Sequence, residues 1–271
     1  MTGLKISTNM SSQNLRYVFL GGQESLFAEI ILQNLKLAGW EPLAAIRNAK
    51  APLDPEYLQS LQADFFLVAA FAKILKKEII GIPLKGTVGV HPSLLPQYRG
   101  ASPIQSALLN DEKITGTSIF IIDEKVDHGP IVAQEKLPVT AADTYATLLK
   151  RLAELSSRLC LKALPDWLSG DLKPTVQDEA MASYTKKFNS DAGRVDLKKD
   201  RPKELWLKIR ALNPEPSVYA MIQLKNGKEM RLKLLEAKLE NSKLRLIAVQ
   251  PEGKKPMPYQ DFLNGYQKIL I

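Results

Sequence analysis

The chain has 271 residues, 45% of them apolar and 24% charged, which is enough for a sizeable core in one large domain or two small ones. Its single cysteine excludes an internal disulfide framework, and no apolar run is long enough to cross a bilayer. The formal charge of +8 is uneven: residues 1–180 carry 18 Lys and Arg against 19 Asp and Glu, while residues 181–271 carry 19 against 10. The last third therefore holds the whole excess. Such a segment points to a polyanionic partner, because a basic surface gains affinity by releasing phosphate counterions, with a solvated lysine-rich face as the plainer alternative.

Residues 1–14 are polar and lack the apolar centre of a secretion signal, so a disordered tail and a cytoplasmic protein are expected. "LRYVFL", ended by Gly21-Gly22, reads as a strand, and "ESLFAEIILQNLKLAG" as the helix after it. "EPLAAI", "YLQSLQ" and "FFLVAA" repeat strand, helix and strand, an alternation that argues for an α/β domain with a mostly parallel, Rossmann-like sheet and helices on both faces. No GxGxxG or GxxxxGK[ST] follows Gly21-Gly22, so a tight turn is the better reading there than a nucleotide site. "KILKKEIIGIP" is expected to be a helix, and "GTVGVH" a strand that delivers His91 at its carboxyl end, where ligands of such sheets sit. An irregular loop, "PSLLPQYRGASP", precedes a helix from Pro103 to Asn110 and the β-rich run "TGTSIFIID". Asp127 lies on the loop beyond.

A long amphipathic helix is expected from Asp143 to Leu168, with Asp143 as its cap. It carries Cys160, read as a buried structural thiol. Residues 169–201 read as a linker between a domain at 15–168 and a basic domain at 202–271. The latter shows one helix, "PKELWLKIRAL", three strands separated by turns such as Asn226-Gly227, and a closing helix, which suggests a small OB-like β-barrel.

Both histidines fall between residues 86 and 130, so this stretch holds the groups that titrate near neutral pH. His91 and Asp127 meet where the sheet opens, either as a proton-moving pair or as a structural hydrogen bond; the residues alone leave both open. His128 reads as a structural or exposed neighbour. No serine or cysteine stands in a nucleophile elbow, and neither HExxH nor CxxC is present, so covalent and metal chemistry have little support.

"VHPSLLPQYRGASPIQSALLNDEKITGTSIFIIDEKVDHGPIV" resembles the signature of the folate-dependent formyltransferases, NxHxSLLPxYRGxxPI, a TGxT strand and LDxG. "YTKKFNSDAGRVDL", "KIRALNPEPSVYA" and "VQPEGKKPMPYQDFLNG" are similar to the second domain of the branch that acts on methionyl-tRNA, so the resemblance covers nearly all the chain from Leu15. It implies transfer of a formyl group from 10-formyltetrahydrofolate, a co-substrate, to the amino group of methionyl initiator tRNA by a monomer without metal or membrane attachment. It implies His91 and Asp127 as catalytic residues, Ser93, Leu94, Leu95 and Pro96 lining the folate site, and Arg47, Lys50, Arg210, Lys254 and Lys255 as tRNA contacts. An amino-sugar nucleotide acceptor and a catalytically impaired folate- or tRNA-binding module are the alternatives. Two departures accompany the match: Gly89 stands where the family has asparagine, and residues 44–55 are shorter than the basic loop of the better-known tRNA enzymes.

Overall fold

The computed structural model describes residues 15–224 and 227–266. The expected tail at 1–14, and Asn226 of the expected turn, lie outside the described residues. The first part runs β1 (Tyr17–Gly21), α1 (Leu26–Leu37), β2 (Ala44–Ile46), α2 (Pro55–Ser60), β3 (Phe65–Ala69), α3 (Lys77–Ile80), β4 (Thr87–His91), β5 (Arg99–Gly100), α4 (Pro103–Leu109), β6 (Ile114–Ile121), β7 (Ile131–Pro138) and α5 (Tyr145–Ser169). There follow β8 (Tyr184–Thr185), β9 (Arg194–Val195), α6 (Pro202–Leu212), β10 (Tyr219–Gln223), β11 (Glu229–Glu240), β12 (Lys243–Pro251), β13 (Met257–Pro258) and α7 (Tyr259–Gly265).

Six strands form the first sheet in the order β2-β1-β3-β4-β6-β7, parallel from β2 to β4 and antiparallel beyond. Period-two alternation splits β1 and β3 between two apolar layers. Tyr17, Phe19, Phe65 and Leu67 join α1 and α5 on one face, whereas Val18, Leu20 and Phe66 join Leu58 of α2 and Ile79 of α3 on the other. Strands covered on both faces must be apolar throughout, which is why "YVFL" and "FFL" show no polar break. α1 starts where Ser25 accepts the Ala28 amide, and its Asn34 meets Ser157 of α5 across the helix pair at 3.2 Å. Cys160 is fully buried in α5, and burial pushes its thiol up to about 12, as expected of a structural thiol.

Two helices begin elsewhere than the sequence pattern suggests. α3 is confined to Lys77–Ile80, because Lys73 donates to the Ala51 carbonyl at 2.7 Å and the chain before it follows the edge of a cleft. The cap of α5 is Thr144, paired reciprocally with Thr147, rather than Asp143. Asp143 instead accepts from Thr140 at 2.7 Å and Arg151 at 2.6 Å. Its burial would raise the carboxyl, but these donors outweigh it and hold the group below the usual carboxylate range. The stability it contributes is therefore present above the unfolded-state pKa and is lost as pH falls through the lower folded one.

The second sheet runs β13-β12-β11-β10-β9. In β11, Met230, Leu232 and Leu234 are buried against α6 while Arg231 and Lys233 face outward, the alternation expected of a half-wet sheet. β13 and β9 are its two edges, and no pairing between them closes a barrel among the described residues. The connecting segment is ordered against both parts. It lays β8 beside β5, β9 beside β10, and Thr175 beside Ile131.

Arg210 ties α6 to the first part. It is 6% exposed, donates to the backbone carbonyls of Asp143 at 2.6 Å and Thr140 at 2.7 Å, and stacks on Trp206 at 4.2 Å. Its expected contact with a polyanion is thus corrected: the guanidinium is spent inside the protein. Arg210→Ala is expected to lower stability by about 3 kcal/mol, since the buried Asp143 carbonyl and the part-buried Thr140 carbonyl lose a charged donor. A urea unfolding midpoint shifted down at unchanged slope checks this, and Arg210→Lys should recover only part because an ammonium cannot reproduce the fork.

Candidate active site

β4 is buried along its whole length between β3 and β6, so its carboxyl end has one outlet, the cleft beyond the sheet. His91 sits at that end with 6% exposure. Its Nε2 lies 2.8 Å from the Tyr98 carbonyl, and because a carbonyl only accepts, Nε2 carries the proton. Nδ1 is left facing the cleft, 3.5 Å from Asp127 Oδ2. That same oxygen accepts the Gly100 amide at 2.7 Å. Tyr98 and Asp127 both have positive φ, +59° and +49°, a costly backbone for non-glycine residues that is held here by the surrounding hydrogen bonds.

The cleft has a volume of about 600 Å³, in the range of small-molecule sites. Its lining includes the stretch from Phe71 to Leu75, Phe120, Ile122 and the 123–127 loop, together with Ile104, Tyr145 and Leu149. Lys77 and Glu124 join the two lips through an exposed ion pair at 2.9 Å. Apolar walls around the His91 imidazole and the Asp127 carboxylate, with Lys73, Asp123, Glu124 and Lys125 also in the lining, suit a flat organic ligand and a proton transfer at its edge.

Of the residues singled out in the sequence, the structure brings His91 and Asp127 together. Ser93, Leu94, Leu95 and Pro96 do not line the cleft. Ser93 Oγ donates to the Gln97 carbonyl at 2.6 Å, the Leu95 amide donates to Ser118 Oγ at 3.0 Å, and Gln134 donates to the Leu95 carbonyl at 2.8 Å. Leu94 packs on the bare Cα of Gly116, where a Cβ would lie 2.5 Å from its Cδ2. This turn braces the end of β4 from behind. His128 is not among the residues lining the cleft; its Nδ1 lies 2.6 Å from Oδ2 of Asp123, which does line it.

The five basic residues divide. Arg47 is committed to the Gly21 and Gly22 carbonyls at 3.1 and 2.8 Å and to Glu29 at 2.6 Å, so it shapes the turn after β1 instead of offering a free cation. Arg210 is buried as described. Lys50, Lys254 and Lys255 are exposed.

Gly89 faces Phe120 across the β4/β6 pair. A Cβ at position 89 would lie 2.5 and 2.7 Å from the edge of the Phe120 ring, so the aromatic occupies the space of any side chain there. Pairing a glycine with an aromatic is invisible without the strand register. Gln177, whose side chain reaches the Asp127 loop, was equally hidden among the polar residues of the connecting segment.

A family model described as Formyl transferase matches residues 17–164. The methionyl-tRNA formyltransferase of Dictyoglomus turgidum is 35% identical over 234 residues, covering 78% of this chain and 74% of its own. HypX from Aquifex aeolicus, solved with tetrahydrofolic acid, superposes at a TM-score of 0.71 and 18% identity over 94% of this chain and 48% of its own. The methionyl-tRNA formyltransferase from Clostridium thermocellum does so at 0.65 and 21% identity over 88% and 99%. At those identities the two solved structures show a common fold. The family model spans more than half of the chain, and the chain belongs to the formyl transferase family, a class of group-transfer enzymes. It is a formyl-transferring enzyme, and its curated relatives are methionyl-tRNA formyltransferases.

The Gly89–Phe120 packing carries a prediction of its own. Gly89→Asn alone is expected to destabilise by about 1–3 kcal/mol through overpacking, and Phe120→Ala in the same chain to relieve that specific clash. A double-mutant cycle of unfolding free energies checks it, and additive costs would disprove the contact.

Proposed function

We propose that the enzyme transfers the formyl group of 10-formyltetrahydrofolate to the amino group of methionyl initiator tRNA. The observation that carries this reading is the pairing of His91 Nδ1 with Asp127 Oδ2 at 3.5 Å over the apolar cleft, in a chain whose curated relatives bear that activity in their name. The bond forms between the amine nitrogen and the formyl carbon, and the bond from that carbon to the folate nitrogen breaks. The proton leaving the amine ends on the folate nitrogen, so no external acid or base is consumed. In its doubly protonated form His91 keeps Nε2–H on the Tyr98 carbonyl and donates from Nδ1 to the developing oxyanion, while Asp127 accepts and relays the amine proton, directly or through a water.

The Phe71–Leu75 stretch and Phe120 supply the walls for the pterin, a role for which Ser93–Pro96 serve as the brace. The tRNA meets the second sheet, read here as an OB-like module, and the exposed Lys50, Lys254 and Lys255 contribute to that contact. The charge excess after residue 180 supports this polyanionic acceptor over an amino-sugar nucleotide. Phe120 favours a second reading, a slow enzyme, because its ring leaves no side-chain donor at position 89 beside His91, and one such donor is commonly worth 100- to 1000-fold, roughly, in rate.

The purified chain, mixed with 10-formyltetrahydrofolate and methionyl initiator tRNA, is expected to yield formylmethionyl-tRNA. No product at high enzyme concentration overturns the proposal, and formylation of an amino-sugar nucleotide instead selects the other acceptor. His91→Ala and Asp127→Ala should each lower kcat by roughly 10²- to 10⁴-fold. Affinity for tRNA should fall more than about tenfold between roughly 50 and 200 mM salt, as three or more phosphate contacts require. A flat salt dependence would rule out the basic surface as the docking face.

A further inference from the structure

Asp127 is held by more than its own loop. Its carboxylate rests on the Gly100 amide, and its backbone carbonyl accepts from Gln177 Nε2 at 2.9 Å. The same Nε2 donates to the Gly129 carbonyl at 2.7 Å. The other end of that amide, Oε1, accepts two bonds from Arg99, at 3.1 Å from Nε and 2.8 Å from Nη2. Arg99 is the residue before Gly100, so the contacts close a ring: Asp127 carboxylate to Gly100, Arg99 guanidinium to Gln177, and Gln177 amide back to the Asp127 carbonyl.

Every member of this ring is polarised in one direction. A guanidinium only donates and a backbone carbonyl only accepts, so the amide must present oxygen to Arg99 and nitrogen to the loop. Gln177 is 5% exposed and Arg99 is fully buried, which makes an unsatisfied member costly. Glu179 completes the cation, accepting from Nη2 at 2.6 Å and Nη1 at 3.0 Å. The Arg99 pairing draws Glu179 below the usual carboxylate range.

We infer that Gln177 is a positioning residue for the reaction: from the connecting segment, it sets the backbone of Asp127 and thereby the distance between that carboxylate and His91. The strained φ of +49° at Asp127 shows why a clamp is required, since an unheld loop would relax toward commoner backbone angles. The segment after α5 therefore completes the site that the first sheet begins. This rests on the formyl-transfer reading of His91 and Asp127.

Gln177→Glu tests it, because the carboxylate still accepts from Arg99 and cannot donate to the two carbonyls. With formyl donor and methionyl-tRNA, kcat is expected to fall about 10- to 100-fold, the cost of a misplacement near 1 Å, while KM for both substrates stays within about twofold. Tyr184→Phe, which removes a neighbouring Arg99 bond at 2.9 Å but touches neither Asp127 nor Gly129, should leave kcat unchanged. Gln177→Met introduces no buried charge and gives the same readout should the glutamate variant not fold. Wild-type kcat in either folded variant overturns the inference, as does an equal loss in Tyr184→Phe. If the wild-type chain itself transfers no formyl group, the functional reading fails separately. Crystal structures of the Gln177 variants then decide, with an Asp127 carboxylate still seated on the Gly100 amide overturning the inference and a displaced one supporting it.

Discussion

Everything in the site depends on the orientation of the His91 ring by the Tyr98 carbonyl. That single bond assigns the proton to Nε2 and turns Nδ1 toward the cleft. It exists because β4 is buried on both faces and delivers His91 at a fixed depth, and because the loop beyond it is folded back by Ser118 and Gln134 until the Tyr98 carbonyl meets the ring. The "SLLP" turn is thus structural first: it converts a strand end into an aimed imidazole.

Asp127 is aimed by different means. No strand supports it; a backbone amide holds its carboxylate and a side-chain amide from another part of the chain holds its carbonyl. One partner of the pair is therefore rigid through sheet packing and the other through a polar ring. Polar rings hold geometry only when every donor and acceptor is matched, and here a buried cation, an amide and a carboxylate do so with little slack. The connecting segment is accordingly part of the site, and Arg210 performs the analogous task for the second sheet, joining α6 to the entrance of α5.

The elements of the first sheet were legible because each strand is a short apolar run with turn residues at its ends and each helix carries a 3.6-residue stripe. The early part of "KILKKEIIGIP" misled because its apolar spacing is helical, yet Phe71 and Leu75 bury themselves in the second apolar layer while Ile74 stays 82% exposed at the cleft mouth. The basic residues misled for a related reason. Counting charges gives a sum over the last third, but the role of one guanidinium depends on whether carbonyls lie within its reach, as they do for Arg47 and Arg210.

From residue types and spacing alone, this chain declares an α/β sheet, a histidine at a strand end, an aspartate on a later loop and a basic final third, since these follow from local pattern and composition. What only the tertiary structure decided are the relations between distant positions. Phe120 fills the space at Gly89 because antiparallel register places them opposite, and Gln177 clamps Asp127 because the connecting segment returns to the sheet 50 residues later. Register and chain return are set by the sum of packing over the whole fold, which no local stretch of residues contains.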